Sequence, residues 1–147
     1  MKKLYIGSGV KQKEGFQSVD IYDFGTNIVH DMRKGYGFLK GEKVDEIIAE
    51  NFLEHLTNDE AIKFLNDSWE VLKEGKGRML IIVPSISREA AYQLPHKSYY
   101  SKRTFEELEK AEQYIDGIKN WHIDRMIVND KGNIHCWLVP IERRING

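Results

Sequence analysis

The chain has 147 residues, 41% of them hydrophobic and 31% charged, which fits one globular domain predicted to span residues 1–147. Lysine and arginine (22) nearly balance aspartate and glutamate (23), and the formal charge of −1 gives no strong signal for nucleic-acid binding. No apolar stretch approaches the roughly 20 residues of a membrane span, and the single cysteine, Cys136, excludes an internal disulfide. We therefore expect a cytoplasmic protein with no membrane partner.

Four short apolar segments open the chain and predict four strands, because each is bounded by Gly, Asp or Asn. In chain order they are KLYIG at 3–7, QSVDIY at 17–22, NIVHD at 27–31 and VDEIIAE at 44–50. A helix is predicted next, capped by Thr57 or Asn58 and running to about Lys73. Its apolar residues recur at helical spacing, and Gly75 follows its end.

The second half of the chain predicts one buried strand, one helix and a hairpin. GRMLIIVP at 77–84 is a near-continuous apolar run, typical of a central parallel strand covered on both faces. SKRTFEELEKAEQYI at 101–115 predicts a second helix, and the last two apolar runs meet in a tight turn at 129–133. Together the elements predict an α/β fold with a single Rossmann-like open sheet, mostly parallel and ending in an antiparallel hairpin.

Gly7, Ser8 and Gly9 follow the first predicted strand, at the sheet edge where open α/β folds bind ligands. In a dinucleotide site such glycines lead into a helix whose N-terminal amides hold the pyrophosphate. Here Gly15 interrupts the short stretch before the second strand, and Gln12 replaces the third glycine of G-x-G-x-x-G. The segment is therefore either a site for a nucleoside without phosphates or a simple turn.

Two aspartates follow the next two strands and favour the nucleoside interpretation. Asp20 ends the second strand, where its carboxylate can accept hydrogen bonds from both ribose hydroxyls. The Asp31 carboxylate can accept a hydrogen bond from the exocyclic amine of adenine. Met32 would then lie against the adenine ring. A surface turn is the alternative role for Asp20, and a helix cap or turn is the alternative for Asp31. The ligand that fits these residues is S-adenosylmethionine.

In their order and spacing these segments resemble the small class I S-adenosylmethionine-dependent methyltransferases, in particular the type with Leu-Glu-His after the fourth strand. The resemblance covers LYIGSG, GFQSVDI, IVHDMRK, the stretch from VDEIIAENFLEH to LIIVPS, and HKSYYSKRTFEELEKA. It implies the minimal class I methyltransferase architecture, with S-adenosylmethionine as cofactor and S-adenosylhomocysteine as product. Ser8 departs from the cysteine frequent in the family, and Lys73 to Gly77 depart from its Lys-Pro-Gly-Gly turn.

The resemblance also implies which residues contact the cofactor. They come from the ends of the four strands and are Gly7, Ser8, Gly9, Asp20, Ile21, Asp31, Met32, Glu50, Asn51, Phe52 and His55. Glu54 and His55 belong to the Leu-Glu-His segment. For His55, holding the strand-to-helix turn is an alternative to ligand contact.

The mechanism that follows is in-line displacement, in which an acceptor atom attacks the sulfonium methyl group. Such a transfer depends on alignment and needs a base only if the acceptor carries a proton. His96 is the candidate base, with an exposed loop histidine as the alternative. The segment 85–101 is predicted to be a mobile lid whose Tyr92, Tyr99 and Tyr100 cover the ligand or orient the acceptor, and a fixed surface loop is the alternative.

The remaining polar residues suggest no metal site, because the histidines show no paired metal spacing and there is one cysteine. The histidines are His30, His55, His96, His122 and His135. A non-catalytic S-adenosylmethionine-binding or assembly subunit stays an alternative function. A nicotinamide-dependent oxidoreductase is a further alternative, disfavoured by the lack of a phosphate helix. The acceptor is unidentified, with a glycan-related molecule or a macromolecule expected, and a homodimer is a secondary expectation.

Overall fold

A seven-stranded mixed sheet organises the chain in a computed structural model that describes residues 2–110 and 117–142. The strands are β1 (Lys3–Ile6), β2 (Gln17–Asp20), β3 (Ile28–Val29), β4 (Glu46–Glu50), β5 (Arg78–Pro84), β6 (Trp121–Val128) and β7 (Asn133–Pro140). Their order is β3-β2-β1-β4-β5-β7-β6. The first five strands are parallel to one another, and β7 runs antiparallel to both β5 and β6. The predicted open, mostly parallel sheet with a C-terminal hairpin is confirmed.

Two α-helices accompany the sheet in the described residues, α1 (Asn58–Val71) and α2 (Lys102–Glu109). Thr57 is the N-cap of α1, and it forms a capping box with Glu60. The helix ends at Val71, earlier than predicted, because Leu72 is extended and bridges Val44.

The second helix is also shorter than its prediction in the described part of the chain. Ser101 caps α2 and pairs with Thr104, and α2 ends at Glu109. Residues 111–115 of the predicted helix lie outside the described residues.

All four strands predicted in the first half of the chain are shorter in the structure, and the third is shortened most. The third strand keeps only Ile28–Val29, since the Asn27 amide oxygen accepts a hydrogen bond from the Ser18 backbone N–H at 2.9 Å and Asp31 caps a 3-10 turn. The fourth strand begins at Glu46 and not at Val44. Strand alternation still places Ile47 and Ala49 in the core.

The core lies between the sheet and the two helices, on one face of the sheet. It joins strand residues such as Leu4, Ile81 and Cys136 to Phe64 of α1 and Phe105 of α2. The opposite face of the same strands carries Tyr5, Ile48, Leu80, Ile82 and Trp137. Both described helices pack on the core face, and on the other face of β5 Ile82 is buried and Leu80 is partly buried. No described helix is long and apolar enough to cross a membrane.

The connection between β1 and β2 is the feature of the fold that most affects the ligand site. Every residue from 7 to 16 is described, and this stretch contains turns and no helix. No helix N-terminus therefore follows the glycines at the end of β1, as the short spacing predicts.

Candidate functional site

A cleft of about 550 Å³ lies at the carboxyl ends of β1, β2 and β4 and at the turns that follow these strands. The structure brings eight of the predicted cofactor residues to its wall, namely Gly7, Asp20, Ile21, Asp31, Met32, Asn51, Phe52 and His55. Its volume falls within the roughly 300–1,000 Å³ of small-molecule sites. The topology thus gathers residues that lie up to 48 positions apart in sequence, from Gly7 to His55.

Gly7 occupies a position at which a side chain would be strained. Its φ is +69°, in the left-handed region, and a Cβ built there would lie 3.0 Å from the Cβ of Phe52. The Gly7 N–H also donates to the Val19 carbonyl at 2.9 Å. Glycine therefore lets the chain adopt this left-handed conformation at the end of β1 while Phe52 packs against it.

Asp20 is held in the cleft wall by two backbone amides. Gly9 N–H donates to Oδ2 at 2.9 Å and Tyr22 N–H donates to Oδ1 at 3.0 Å. Each carboxylate oxygen keeps a free lone pair, because an ionised carboxylate has about four acceptor sites. Gly9 itself does not line the cleft, and a Cβ at Gly9 would meet no atom within 4 Å.

Asp31 caps the 3-10 turn Met32–Lys34 and pairs with Arg33. The guanidinium donates from Nε to Oδ1 at 2.9 Å and from one terminal nitrogen to Oδ2 at 2.9 Å. Hydrogen bonding to Arg33 lowers the pKa of the Asp31 carboxyl below its usual value. The helix-cap alternative is thus present in the structure, and an adenine amine would share this carboxylate with Arg33.

Two predicted residues, Ser8 and Glu50, lie away from this cleft. Ser8 is buried, and Glu50 accepts a hydrogen bond from the Tyr5 hydroxyl at 2.6 Å beside Lys11. Tyr5 and Glu50 line a separate depression on the opposite face of the sheet. Burial, and secondly the bond to Glu50, raise the pKa of Tyr5 well above its usual value. Strand alternation explains the placement, because Ile47 and Ala49 face the core and Glu50 does not.

The Leu-Glu-His segment forms a 3-10 turn, Leu53–His55, directly after β4. His55 lines the cleft and stands edge-on to His96, with the ring centroids 4.8 Å apart. Burial, and then the nearby His96, lower the pKa of His55 below its usual value. Glu54 points inward, is 2% exposed, and burial raises the pKa of its carboxyl to about 7.

His96, the candidate base, does not line the cleft. Its Nδ1 lies 3.0 Å from the Ala91 carbonyl, and it reaches the cleft only through His55. The imidazole is partly buried, which differs from the exposed loop histidine of the alternative.

The predicted lid segment is tied to the protein at both ends. Ser85 bridges Tyr100, and the Lys97 N–H donates to the Glu54 carbonyl at 2.7 Å. Tyr100 is 6% exposed and stacks on Phe105 in the core, so its predicted place in an exposed lid is wrong. Tyr92 and Tyr99 are exposed and stack on each other with centroids 5.4 Å apart.

Four polar or aromatic residues of the cleft wall are not predicted from the sequence, namely Tyr22, Phe24, His30 and Arg33. Tyr22 and Phe24 are 66% and 47% exposed, and they form an edge-to-face pair at the rim with centroids 6.0 Å apart. The sequence did contain a signal for Tyr22 and Phe24, because IYDFG places two aromatic residues in the loop after Asp20. Clustered aromatic side chains that are exposed to solvent often mark a contact surface.

Comparison with known proteins supports the fold without assigning a family. No protein-family model matches the chain, and no curated protein matches it by sequence. A SAM-dependent methyltransferase from Archaeoglobus fulgidus superposes with a TM-score of 0.65 at 15% identity, covering 93% of this chain and 85% of that chain. The DhpI–SAH complex superposes with a TM-score of 0.67 at 14% identity, covering 97% of this chain and 78% of that one.

Other similar structures are much longer than this chain. The pyocyanin biosynthetic protein PhzM has a TM-score of 0.66 at 10% identity, with 95% of this chain covering 50% of PhzM. The chain thus spans half the length of that structure. The fold is that of a minimal class I methyltransferase, and its structural neighbours include SAM-dependent methyltransferases.

Proposed function

We propose that the protein is an S-adenosylmethionine-dependent methyltransferase that acts on an unidentified acceptor by in-line displacement. The observation that carries the proposal is the Asp20 carboxylate, held at the end of β2 by the Gly9 and Tyr22 amides inside the cleft. Two vicinal ribose hydroxyls are suitable donors to the remaining lone pairs of such a carboxylate.

The cleft residues fit this cofactor in size and polarity. Asp20 would hold the ribose, Gly7 would allow the methionine portion to approach the backbone, and Met32 would pack against the adenine. The rim pair Tyr22 and Phe24 would cover the nucleoside from the solvent side. Asp31 would accept a hydrogen bond from the adenine amine while it also pairs with Arg33.

When bound, S-adenosylmethionine supplies a methyl group activated by a positively charged sulfonium. The protein's part is to align the acceptor and to exclude water, since reacting atoms must be held about 3–3.5 Å apart. His55 lies in the cleft wall and would contact the acceptor. His96 lies behind His55 and outside the cleft wall, so it would not contact the acceptor directly.

The two rival functions differ in ligand preference. An oxidoreductase would need a pyrophosphate site, but no helix N-terminus lies in the described connection from residue 7 to 16. A non-catalytic subunit would bind the same cofactor without turnover.

Calorimetric titration with S-adenosylhomocysteine, S-adenosylmethionine and NAD distinguishes the ligand classes. Binding of the two sulfur nucleosides without NAD is expected, and preferential binding of NAD would overturn the proposal. Transfer of a labelled methyl group from S-adenosylmethionine to cell extract fractions then separates an enzyme from a subunit that only binds.

The acceptor is proposed to be a glycan-related molecule or a macromolecule, because the cleft opens beside exposed aromatic rings and not into a closed cavity. A homodimer that completes the acceptor wall is the companion proposal. Light scattering during size-exclusion chromatography, with and without S-adenosylhomocysteine, tests it directly.

A further inference from the structure

Glu54, His55 and His96 come together beside the cleft although 41 positions separate the two histidines. One ligand atom from each of the three side chains lies within 4.8 Å of the other two. Glu54 and His55 belong to the turn after β4, and His96 belongs to the loop after the 3-10 turn Glu89–Tyr92. The cluster is therefore built by tertiary structure and not by a local sequence motif.

The Glu54 carboxylate lacks a full set of partners in the described protein. Its side chain is 2% exposed, and its Oε1 atom is buried without a hydrogen-bond partner among the described residues. Burying a carboxylate oxygen without a partner is costly, and a bound ion is one of the ways in which proteins satisfy such a group.

The backbone fixes the loop that brings His96 to Glu54. The carbonyl of Glu54 accepts hydrogen bonds from the N–H groups of Lys97 at 2.7 Å and Ser98 at 3.2 Å. The Ser98 hydroxyl also donates to the Leu53 carbonyl at 3.0 Å. These hydrogen bonds join the two segments next to the cluster, so the side chains do not have to find each other by loop motion.

A backbone carbonyl engages one nitrogen of the His96 ring. His96 Nδ1 lies 3.0 Å from the Ala91 carbonyl, which leaves Nε2 as the nitrogen with a free lone pair. A ring that donates one N–H to a carbonyl and leaves the other nitrogen free is the usual arrangement of a metal-ligating histidine.

From this geometry we infer that Glu54, His55 and His96 bind a divalent transition-metal ion. Two imidazoles and one carboxylate suit ions such as Zn²⁺ or Co²⁺, whereas Mg²⁺ and Ca²⁺ prefer oxygen ligands alone. Ligand atoms about 2.0–2.2 Å from one ion lie about 3.4 Å apart in a tetrahedral site, so the side chains would close inward by about 1 Å. The exposed His55 ring can make that movement.

The ion would leave at least one coordination position open, as in metal sites with three protein ligands. His55 also lines the cleft, so that position would lie beside it. The inference concerns ion binding alone and does not depend on methyl transfer.

Titration of tag-free, chelator-treated protein with Co²⁺, followed by Zn²⁺ competition, tests the site. Wild type is expected to bind one Co²⁺ per chain, with visible absorption that Zn²⁺ abolishes and Mg²⁺ does not. His96→Gln and His55→Gln should each weaken binding at least about tenfold, because even outer-shell partners of metal ligands are worth about 10- to 100-fold. Absence of one-to-one binding, or unchanged affinity in His96→Gln, overturns the inference.

His122→Gln is the matched control, because His122 also lies beside a glutamate, with Nδ1 3.1 Å from Glu109, but on β6. It should bind Co²⁺ as wild type does. Equal loss of affinity in His122→Gln and His96→Gln would mean that the ion binds surface histidines generally, and would overturn the assignment.

Thermal unfolding keeps the test valid if a variant is less stable. Glu54→Gln removes the buried charge at constant size, so its metal-free melting temperature should equal or exceed that of wild type. Zn²⁺ should raise the melting temperature of wild type and not that of Glu54→Gln. Equal increases in both proteins would contradict a role for Glu54.

Discussion

Among single residues, Asp20 is expected to contribute most to ligand affinity. Asp20→Ala should weaken S-adenosylhomocysteine binding by about 2–4 kcal/mol, because two charge-assisted hydrogen bonds to the ribose would be lost. Calorimetry measures the affinity. Asp31→Ala should weaken it less, since Arg33 already engages that carboxylate.

Asp23→Ala is the control for the Asp20 substitution, because Asp23 is an exposed acid in the same loop that accepts the Gly25 N–H at 3.0 Å. It should bind S-adenosylhomocysteine as wild type does. Wild-type affinity in a folded Asp20→Ala protein would contradict the ribose assignment.

A substitution at Gly7 tests the backbone conformation of the site through protein stability, independently of ligand binding. Gly7→Ala should lower the free energy of unfolding by about 1–3 kcal/mol, because alanine is strained at a φ of +69° and its Cβ would press on Phe52. Gly41→Ala is the matched control, since Gly41 has a φ of +86° and a Cβ placed on it would meet no atom within 4 Å. Urea unfolding of both variants separates the two causes, and equal losses would show that the Phe52 contact contributes nothing.

Some residues of the cleft could be predicted from sequence and others could not, for physical reasons. Gly7 and Asp20 lie where strands end, and parallel strands bring their carboxyl ends to one edge. Glu50 also ends a strand, but its side chain alternates to the opposite face, as the apolar positions Ile47 and Ala49 already indicate. His55 and His96 are brought together by a loop whose path depends on backbone hydrogen bonds to Glu54. Such hydrogen bonds cannot be predicted from the spacing of residues in the sequence.

At the scale of elements, the segment after β5 carries the prediction of a mobile lid. Lys97 and Ser98 are hydrogen-bonded to the Leu53–His55 turn, whereas Leu94 is fully exposed and Tyr92 is 57% exposed. Amide hydrogen exchange of residues 86–96 should slow when S-adenosylhomocysteine is added, because closing over the cleft would protect their N–H groups. Exchange at Lys97 and Ser98, whose N–H groups donate to the Glu54 carbonyl, should be slow in both states and serves as the internal control. Identical exchange of residues 86–96 with and without ligand would favour the fixed surface loop.

Some features of the secondary structure can be predicted from neighbouring residues, and others depend on contacts between distant segments. The capping box of Thr57 made the start of α1 predictable, but its end depends on Leu72 pairing with Val44, a contact between distant segments. Tyr99 and Tyr100 are adjacent and chemically alike, yet extended backbone sends one to solvent and the other to Phe105. Sequence identifies such a pair without showing which member is buried.

At the scale of the whole molecule, the sheet has its described α-helices on one face and a cleft at one edge. The open, mostly parallel sheet followed from the alternation of strands and helices, and the closing hairpin followed from its turn residues. The placement of both described helices on one face could not be predicted in this way, because β5 is apolar whether or not a helix covers its second face. A continuous apolar run therefore identifies a central strand without identifying what covers it.

Cys136 links the stability of the whole molecule to ligand binding. The thiol is fully buried in β7, and burial raises its pKa to about 12, so a thiol reagent should label it only after the sheet opens. If opening is global, S-adenosylhomocysteine at about 100 times its Kd should slow labelling about 100-fold, because ligand binds only the folded state. The rate of reaction with a chromogenic disulfide measures this, and Asp20→Ala should lose most of the slowing at the same ligand concentration. Labelling that is fast without denaturant, or unaffected by ligand that calorimetry shows to be bound, would mean that β7 opens locally while the cleft stays folded.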